Sequence, residues 1–176
     1  SDGINTTTSE LIITVDDVNE APILFNTLAA SSFAENVSTG TTIATASASD
    51  PESQAITYSL SGTGSDNFAV DSSGNITLAA GLDYETATSY SLTLSASDGV
   101  NTTTNTLAIS ISDINEAPSL TNSLAASSFA ENVATGTTIA TASASDPEAQ
   151  SITYSLSGTG SGNFAVDSSG NITLAS

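Results

Sequence analysis

The sequence predicts an all-β protein built from tandem antiparallel β-sandwiches. Three observations support this fold class. Apolar and hydroxyl side chains alternate with a period of two, a long segment recurs at an offset of 96 residues, and no stretch sustains a helical period. A repeat of this length suits one small sandwich domain and is too long for one turn of a solenoid.

The alternation marks the individual strands. Ile56, Tyr58 and Leu60 alternate with Thr57 and Ser59, which predicts a strand with one apolar face and one hydroxyl-rich face. The same pattern predicts strands at residues 90–96, 107–111 and, in the preceding copy of the repeat, 11–15. Residues 71–75, Asp-Ser-Ser-Gly-Asn, separate two short apolar runs and predict a hairpin turn.

The repeat defines the domain organisation. Residues 22–80 match residues 118–176 with 51 of 59 positions identical, and residues 1–21 match residues 97–117 with 13 of 21 identical. We therefore expect the last strand and linker of one repeat at 1–21, a complete repeat at 22–117 and a truncated repeat at 118–176. The truncated repeat lacks the counterpart of residues 81–96, which holds an expected central strand.

Two explanations fit the incomplete repeats at the two ends of the chain. The chain is either a window from a longer repetitive polymer or a subunit that assembles head to tail. In the second case a terminal strand would complete a neighbour's open sheet.

Charge is the most restrictive feature of the composition. The chain has 19 acidic residues and no Lys, Arg or His, so no side-chain cation can pair with any carboxylate. Nucleic acids and anionic membranes are excluded as partners, since both are bound through Lys or Arg. Catalytic triads lack a His or Lys base, and transition-metal sites lack His and Cys. A hard cation with oxygen ligands is left, and Ca²⁺ fits best.

Other features of the sequence are less informative. There is no Cys to indicate a redox compartment, and no signal peptide or transmembrane run. We expect no direct membrane insertion by this fragment.

Most acids lie in short motifs that follow one another in a fixed order. The motifs are Phe-Ala-Glu-Asn (33–36), Ser-Asp-Pro-Glu (49–52), Leu-Asp-Tyr-Glu (82–85), Ser-Asp-Gly (97–99) and Asp-Ile-Asn-Glu-Ala-Pro (113–118). The ordered set resembles the cadherin repeat over the whole chain, and the linker Asn-Glu-Ala-Pro (19–22, 115–118) is similar to bacterial cadherin-like repeats of large surface proteins and adhesins. The resemblance implies Ig-like, cadherin-like Greek-key β-sandwiches that bind Ca²⁺ where consecutive repeats meet.

The family's ligands can be carried over residue by residue. At one junction the resemblance implies Glu35, Asp83, Glu85, Asp113, Asn115 and Glu116 from the upstream repeat, with Asp146 and Glu148 from the downstream repeat. At the earlier junction it implies Asp17, Asn19, Glu20, Asp50, Glu52 and Asp98. Two departures from the family pattern lengthen the ligand arm: Glu52 and Glu148 replace the second Asp of the Asp-x-Asp pair, and Glu20 and Glu116 replace the linker Asp.

Each motif taken alone has a simpler interpretation. Asp-Pro-Glu is a common turn opener, and Asn-Glu-Ala-Pro could be a plain linker. However, 14 of the 19 acids fall at positions of the cadherin pattern, whereas acids that only solvate a surface would be scattered. The hypothesis is a calcium-rigidified structural repeat of an extracellular stalk, fibre or adhesin, located at the cell surface.

Three alternatives stay open at this point. One is a homophilic cell-adhesion module that binds identical chains, and another is a subunit of a self-assembling extracellular filament. An enzyme using paired carboxylates is the third, but the linker position of the acids argues against it. The expected partners are neighbouring repeats of the same chain and, in the first two alternatives, identical chains.

Overall fold

The computed structural model of the protein describes residues 2–126 and 128–175. The described chain is all-β, which confirms the predicted fold class, and none of its helical segments is long and apolar enough to cross a membrane. Contacts divide it into two compact units. Unit 1 comprises the residues up to Phe33, Val37–Leu82 and Ser89–Ser110, and unit 2 comprises Ala34–Asn36, Asp83–Thr88 and the residues from Ile111 onward.

Eight strands form two four-stranded sheets in the segment that contains unit 1. The first sheet has the order β1-β3-β6-β5 and the second has the order β2-β8-β7-β4. The strands are β1 (Ile23–Leu28), β2 (Phe33–Ala34), β3 (Thr42–Ser49), β4 (Thr57–Ser61), β5 (Phe68–Val70), β6 (Asn75–Leu78), β7 (Ser89–Ser97) and β8 (Thr102–Ser112). The strands predicted at 56–60, 90–96 and 107–111 are therefore confirmed as β4, β7 and β8.

Alternation along these strands builds the core of unit 1. Leu92 and Leu94 of β7 and Leu107 and Ile109 of β8 are buried, while the residues between them, Thr93 and Ala108, are exposed. Removing such side chains from water is the main favourable contribution to folding. At one end of this core, the ring of Phe68 packs edge-on against Tyr90 with their centroids 5.2 Å apart.

The predicted hairpin turn between β5 and β6 forms as expected. One carboxylate oxygen of Asp71 accepts hydrogen bonds from the backbone N–H groups of Ser73 and Asn75, at 2.9 and 2.8 Å. Gly74 has φ +81°, and a Cβ built there would lie 2.3 Å from the carbonyl oxygen of Ala46. The turn therefore requires glycine at this position.

The strand predicted at 11–15 is wrong. These residues form no strand, and Leu11, Ile13 and Val15 are at least three-quarters exposed. A strand needs a hydrogen-bonded neighbour, and no other segment of the described chain pairs with these residues. Alternation within one segment does not show whether a second segment is available to pair with it.

Unit 2 contains one antiparallel sheet of order β11-β12-β10-β9. Its strands are β9 (Ser119–Leu124), β10 (Thr138–Ser145), β11 (Phe164–Val166) and β12 (Asn171–Leu174). The apolar face of this sheet is only partly covered: Phe164 is 37% exposed, whereas Phe68, its counterpart in unit 1, is 6% exposed. An open apolar cavity of about 340 Å³ lies beside Leu120, Ile152 and Tyr154. The described residues of unit 2 contain no counterparts of β7 and β8, the strands that cover this face in the first copy.

Candidate metal centres

A buried carboxylate anchors the larger acidic site, which lies in unit 2. Glu35 directly follows β2, and its backbone N–H donates to the carbonyl of Ser112 at the end of β8. The side chain is 6% exposed. Its two carboxylate oxygens each accept a backbone hydrogen bond of 2.7 Å, one from the N–H of Tyr84 and one from the N–H of Ile114. Glu35 thus ties together two loops in addition to its own.

Glu35 and four further acids form two overlapping triads, which we call the unit 2 cluster. Glu35, Glu85 and Glu116 place one carboxylate oxygen each within 4.8 Å of one another, and Glu85, Asp113 and Glu148 do the same. Glu85 belongs to both triads. The cluster joins acids that the sequence assigned to two successive repeats.

The unit 1 cluster has a similar construction. Asp17, Glu20 and Glu52 form a triad with the same 4.8 Å limit between oxygens. The backbone N–H of Glu20 donates to the Glu52 carboxylate at 3.3 Å, as the N–H of Glu116 donates to the Glu148 carboxylate at 3.2 Å. In both units, therefore, the linker contacts the loop that follows the long strand, which is β3 in unit 1 and β10 in unit 2.

Asp98 and Asn19 border the unit 1 cluster. One oxygen of Asp98 accepts from the N–H groups of Val100 and Asn101, at 2.7 and 2.6 Å, and the other accepts from the Asn19 amide at 2.8 Å. The bond from Asn19 is the main reason that the pKa of Asp98 lies below its ordinary value. Asp98 therefore stays ionised and its orientation is fixed.

Other predicted ligands lie outside the three triads. The Asp83 carboxylate accepts bonds from the backbone and hydroxyl groups of Thr86, and one oxygen each of Asp50 and Asp146 accepts from the N–H of the residue four positions later. Asn115 donates its amide to the carbonyl of Glu116 at 2.9 Å. Their roles as metal ligands stay predictions.

The carboxylates of each cluster perturb one another's protonation. The neighbouring Glu148 carboxylate, together with burial, raises the pKa of Glu116 to about 7, while the same contact lowers the pKa of Glu148. A proton shared with Glu20 raises the pKa of Glu52, and burial raises the pKa of Glu85. Crowding and burial thus disfavour the charged forms of Glu116, Glu52 and Glu85.

The geometry and chemistry of the clusters fit calcium. Two oxygens bound to one Ca²⁺ at roughly 2.3–2.6 Å can be at most about 5.2 Å apart, so spacings within 4.8 Å are compatible with a shared ion. Three buried oxygens, Asp50 Oδ2, Glu116 Oε2 and Glu148 Oε2, have no hydrogen-bond partner among the described residues. The chain has no Lys, Arg or His to satisfy them, and a divalent cation would.

Sequence reasoning missed the two residues that join the linkers to the loops. The side-chain amide of Gln54 donates to the side-chain oxygen of Asn19, and Gln150 donates to Asn115 in the same way. Charge patterning could not reveal an uncharged residue. The available signal was that the only two glutamines of the chain stand at equivalent positions of the two copies.

Comparison with protein families gives a match over the first copy of the repeat. The model described as "Cadherin domain" matches residues 30–112. Among curated proteins, the protocadherin-like wing polarity protein stan of Drosophila melanogaster is 35% identical over 156 residues, covering 80% of this chain and 4% of the fly protein. Human protocadherin gamma-B5 is 36% identical over 139 residues, covering 76% of this chain and 15% of that protein. The chain thus spans only a small part of these relatives.

Solved structures show the same likeness. The crystal structure of human protocadherin-24 EC1-2, form II, has a TM-score of 0.56 and 25% identity, covering 91% of this chain and 80% of that one. The crystal structure of Drosophila N-cadherin EC1-4 has a TM-score of 0.53 and 27% identity, covering 89% of this chain and 41% of that one. Both matches extend beyond the residues of the single family-model match.

Proposed function

We propose, from the match of residues 30–112 to the cadherin-domain family model, that the chain is a calcium-rigidified structural repeat of an extracellular stalk, fibre or adhesin. The observation that supports it best is the unit 2 cluster, in which buried oxygens of Glu116 and Glu148 have no partner. Adhesion or matrix support at the cell surface is the expected role, and no enzymatic activity is proposed.

The proposed ligands follow from the two clusters. In unit 2, the carboxylates of Glu35, Glu85, Asp113, Glu116 and Glu148 would hold Ca²⁺, with Asp83, Asn115 and Asp146 completing the site. In unit 1, Asp17, Glu20 and Glu52 would do so, with Asn19, Asp50 and Asp98. These assignments are supported by oxygen spacings within 4.8 Å in each triad and by the buried, unpartnered oxygen of Asp50.

Stiffness would come from the chain's own residues. Without a cation, the negative charges of each cluster repel one another and favour separation of the segments that bear them. A bound Ca²⁺ would neutralise that repulsion. The linker acids Glu20 and Glu116 would then be fixed to the loop acids Glu52 and Glu148, which lie 32 residues further along the chain. Extracellular calcium modules commonly bind with dissociation constants of roughly 10⁻⁴–10⁻³ M.

Small-angle X-ray scattering tests the proposed stiffening. With millimolar Ca²⁺ we expect a longer and better-defined maximum dimension than in excess chelator, together with a sharper pair-distance distribution. Mg²⁺ at the same ionic strength is the control for screening. A maximum dimension and a distribution that do not change with Ca²⁺ would contradict the proposal.

The proposal extends to the kind of protein that contains this chain and to the organism it comes from. The near-identity of the two copies, with 51 of 59 positions the same, supports a spacer in a large repetitive surface protein. A bacterial origin is supported only by the Asn-Glu-Ala-Pro linker, since the relatives compared above are animal proteins. The relevant partners are then neighbouring repeats.

Homophilic adhesion is a second candidate, favoured by one observation. Ile23 and Phe25 on β1 are 52% and 64% exposed, whereas the second copy has Ser119 and Thr121 at these positions. An apolar pair that is confined to one copy is more typical of a contact surface than of a uniform spacer. Sedimentation velocity of wild-type protein and Phe25→Thr tests it: equal monomer fractions at all concentrations would exclude this candidate. The same measurement tests assembly into a filament.

A further inference from the structure

The loop between β3 and β4 makes an uncharged contact with the linker in unit 1. Gln54 donates its side-chain amide to the side-chain oxygen of Asn19. The Asn19 amide donates in turn to Asp98, at 2.8 Å, and to the carbonyl of Glu20, at 3.1 Å. Gln54 therefore fixes which end of the Asn19 carboxamide points toward the Asp98 carboxylate.

Unit 2 repeats this contact with equivalent residues. Gln150 donates to the side-chain oxygen of Asn115, and Asn115 donates to the carbonyl of Glu116 at 2.9 Å. The two contacts lie in separate compact units, so one is not a consequence of the other.

The loop backbone is shaped to present the glutamine. Ser53 and Ala149 have φ of +62° and +57°, a left-handed conformation that non-glycine residues seldom adopt. The N–H of Gln54 and the N–H of Gln150 each donate to the aspartate four residues earlier, at 2.9 Å. This aspartate bond closes the loop and directs the glutamine side chain at the linker.

The two copies of the loop differ on both sides of the glutamine but not at the glutamine itself. The residues on either side differ between the copies, Ser53 against Ala149 and Ala55 against Ser151, while the glutamine is unchanged. These are also the only glutamines in the chain. A residue needed only to fill a surface loop would have no reason to be restricted to these two positions.

The chemistry of the site explains why glutamine is suitable. A lysine at this place would supply a positive charge and compete with a cation, and a glutamate would repel the asparagine oxygen. Glutamine is a neutral side chain that reaches as far as glutamate and can still donate. It leaves the negative charge of Glu52 and Glu148, two residues earlier, available for an ion.

We propose that Gln54 and Gln150 are positioning residues, which hold the linker asparagine and the adjacent acids in a binding-competent arrangement before Ca²⁺ binds. This inference rests on the proposed function. Its physical basis is preorganisation, because a linker that is already attached loses less conformational freedom when an ion binds. The second lone pair of the asparagine oxygen is still available to a cation.

Two variants at position 150 distinguish positioning from direct ligation. Gln150→Ala removes one neutral hydrogen bond, and we expect calcium binding at unit 2 to weaken about two- to tenfold. Gln150→Glu keeps the length and an oxygen but replaces the donor with a charge that repels the Asn115 oxygen, so we expect a loss at least as large. Ser151→Glu is the matched control, because it adds the same charge at an exposed neighbour.

Isothermal titration calorimetry of the full chain gives the affinities, and NMR gives a readout independent of calcium. In chelated wild-type protein, the side-chain amide resonances of Asn115 should be dispersed, and they should move to unstructured positions in Gln150→Ala. Tighter calcium binding by Gln150→Glu than by Ser151→Glu would overturn the proposal, since it would make residue 150 a ligand. Wild-type affinity in both variants, or unstructured Asn115 resonances in chelated wild type, would also overturn it.

The design keeps failure of this inference separate from failure of the proposed function. If wild-type protein binds no Ca²⁺, both the proposed function and the preorganising role are overturned, while the NMR result still decides whether the contact exists. If wild-type protein binds Ca²⁺ and the variants bind equally well, only the positioning role is lost.

Discussion

Replacement of Glu35 by alanine is expected to destabilise the protein strongly even when Ca²⁺ is absent. The carboxylate is buried and accepts two backbone hydrogen bonds of 2.7 Å, from Tyr84 and Ile114. Hydrogen bonds to charged groups contribute roughly 1.5–3 kcal/mol each, which gives about 3–6 kcal/mol for the pair. Ile114 is 40% exposed, so water can recover part of this. We expect a net loss of about 2–4 kcal/mol in the free energy of unfolding.

Urea denaturation in chelator, followed by far-ultraviolet circular dichroism, measures this loss without adding ions that screen the clusters. The matched control is Glu131→Ala, which changes the equivalent glutamate of the second copy, where the side chain is exposed. That change should stay within about 0.5 kcal/mol of wild type. A Glu35→Ala loss below about 1 kcal/mol, or one equal to that of Glu131→Ala, would refute the role of Glu35 as the anchor of the three loops.

Three other outcomes follow from the same structure. In chelator, the thermal midpoint should rise as pH falls from 8 toward 5. The folded-state pKa of Glu116, about 7, lies above its ordinary value of 4.5, so folding favours the protonated form in that range. Saturating Ca²⁺ should reverse the trend, and a thermal midpoint that does not change with pH in chelator would contradict the crowding of Glu116. Glu116→Gln should raise the thermal midpoint in chelator, because folding disfavours the charged form of this side chain, and it should weaken calcium binding at least severalfold by calorimetry; a loss of both stability and binding would indicate simple misfolding. Gly74→Ala should lower the free energy of unfolding, measured by urea denaturation, by about 2 kcal/mol or more, because φ is +81° and the new Cβ would lie 2.3 Å from a carbonyl oxygen. Gly99→Ala is the control: φ is +95° but no described atom lies within 4 Å of the new Cβ, so only the backbone strain of about 1–2 kcal/mol should be lost.

Local alternation was sufficient to predict strands whose partners are present. Residues 90–96 and 107–111 became β7 and β8, which pair with each other over nine residues of β7. The same pattern at 11–15 failed because pairing is a property of two segments, and periodicity describes only one. Position in the motif likewise predicted that acids from distant segments would converge on Glu35, but it did not show that Asp83 would turn toward Thr86.

The uncharged parts of the site were beyond the reach of charge patterning. The backbone donors that hold Glu35 have no sequence signature, since every residue except proline has an N–H. Gln54 and Gln150 are visible only when the two copies are aligned and the hydrogen bonds to Asn19 and Asn115 are known. Sequence therefore located the acids, and the three-dimensional structure identified the groups that orient them.

Calcium titration of the full chain and of two charge-neutralised variants tests the central claim most directly. Glu85 belongs to both triads of the unit 2 cluster, so Glu85→Gln should remove or strongly weaken calorimetric binding there. Glu10→Gln removes one exposed charge elsewhere and is the matched control. We predict saturable binding of more than one Ca²⁺ per chain, with dissociation constants of roughly 10⁻⁴–10⁻³ M, unchanged by Glu10→Gln and reduced by Glu85→Gln. No saturable binding by wild-type protein, or identical binding by the two variants, would contradict the account.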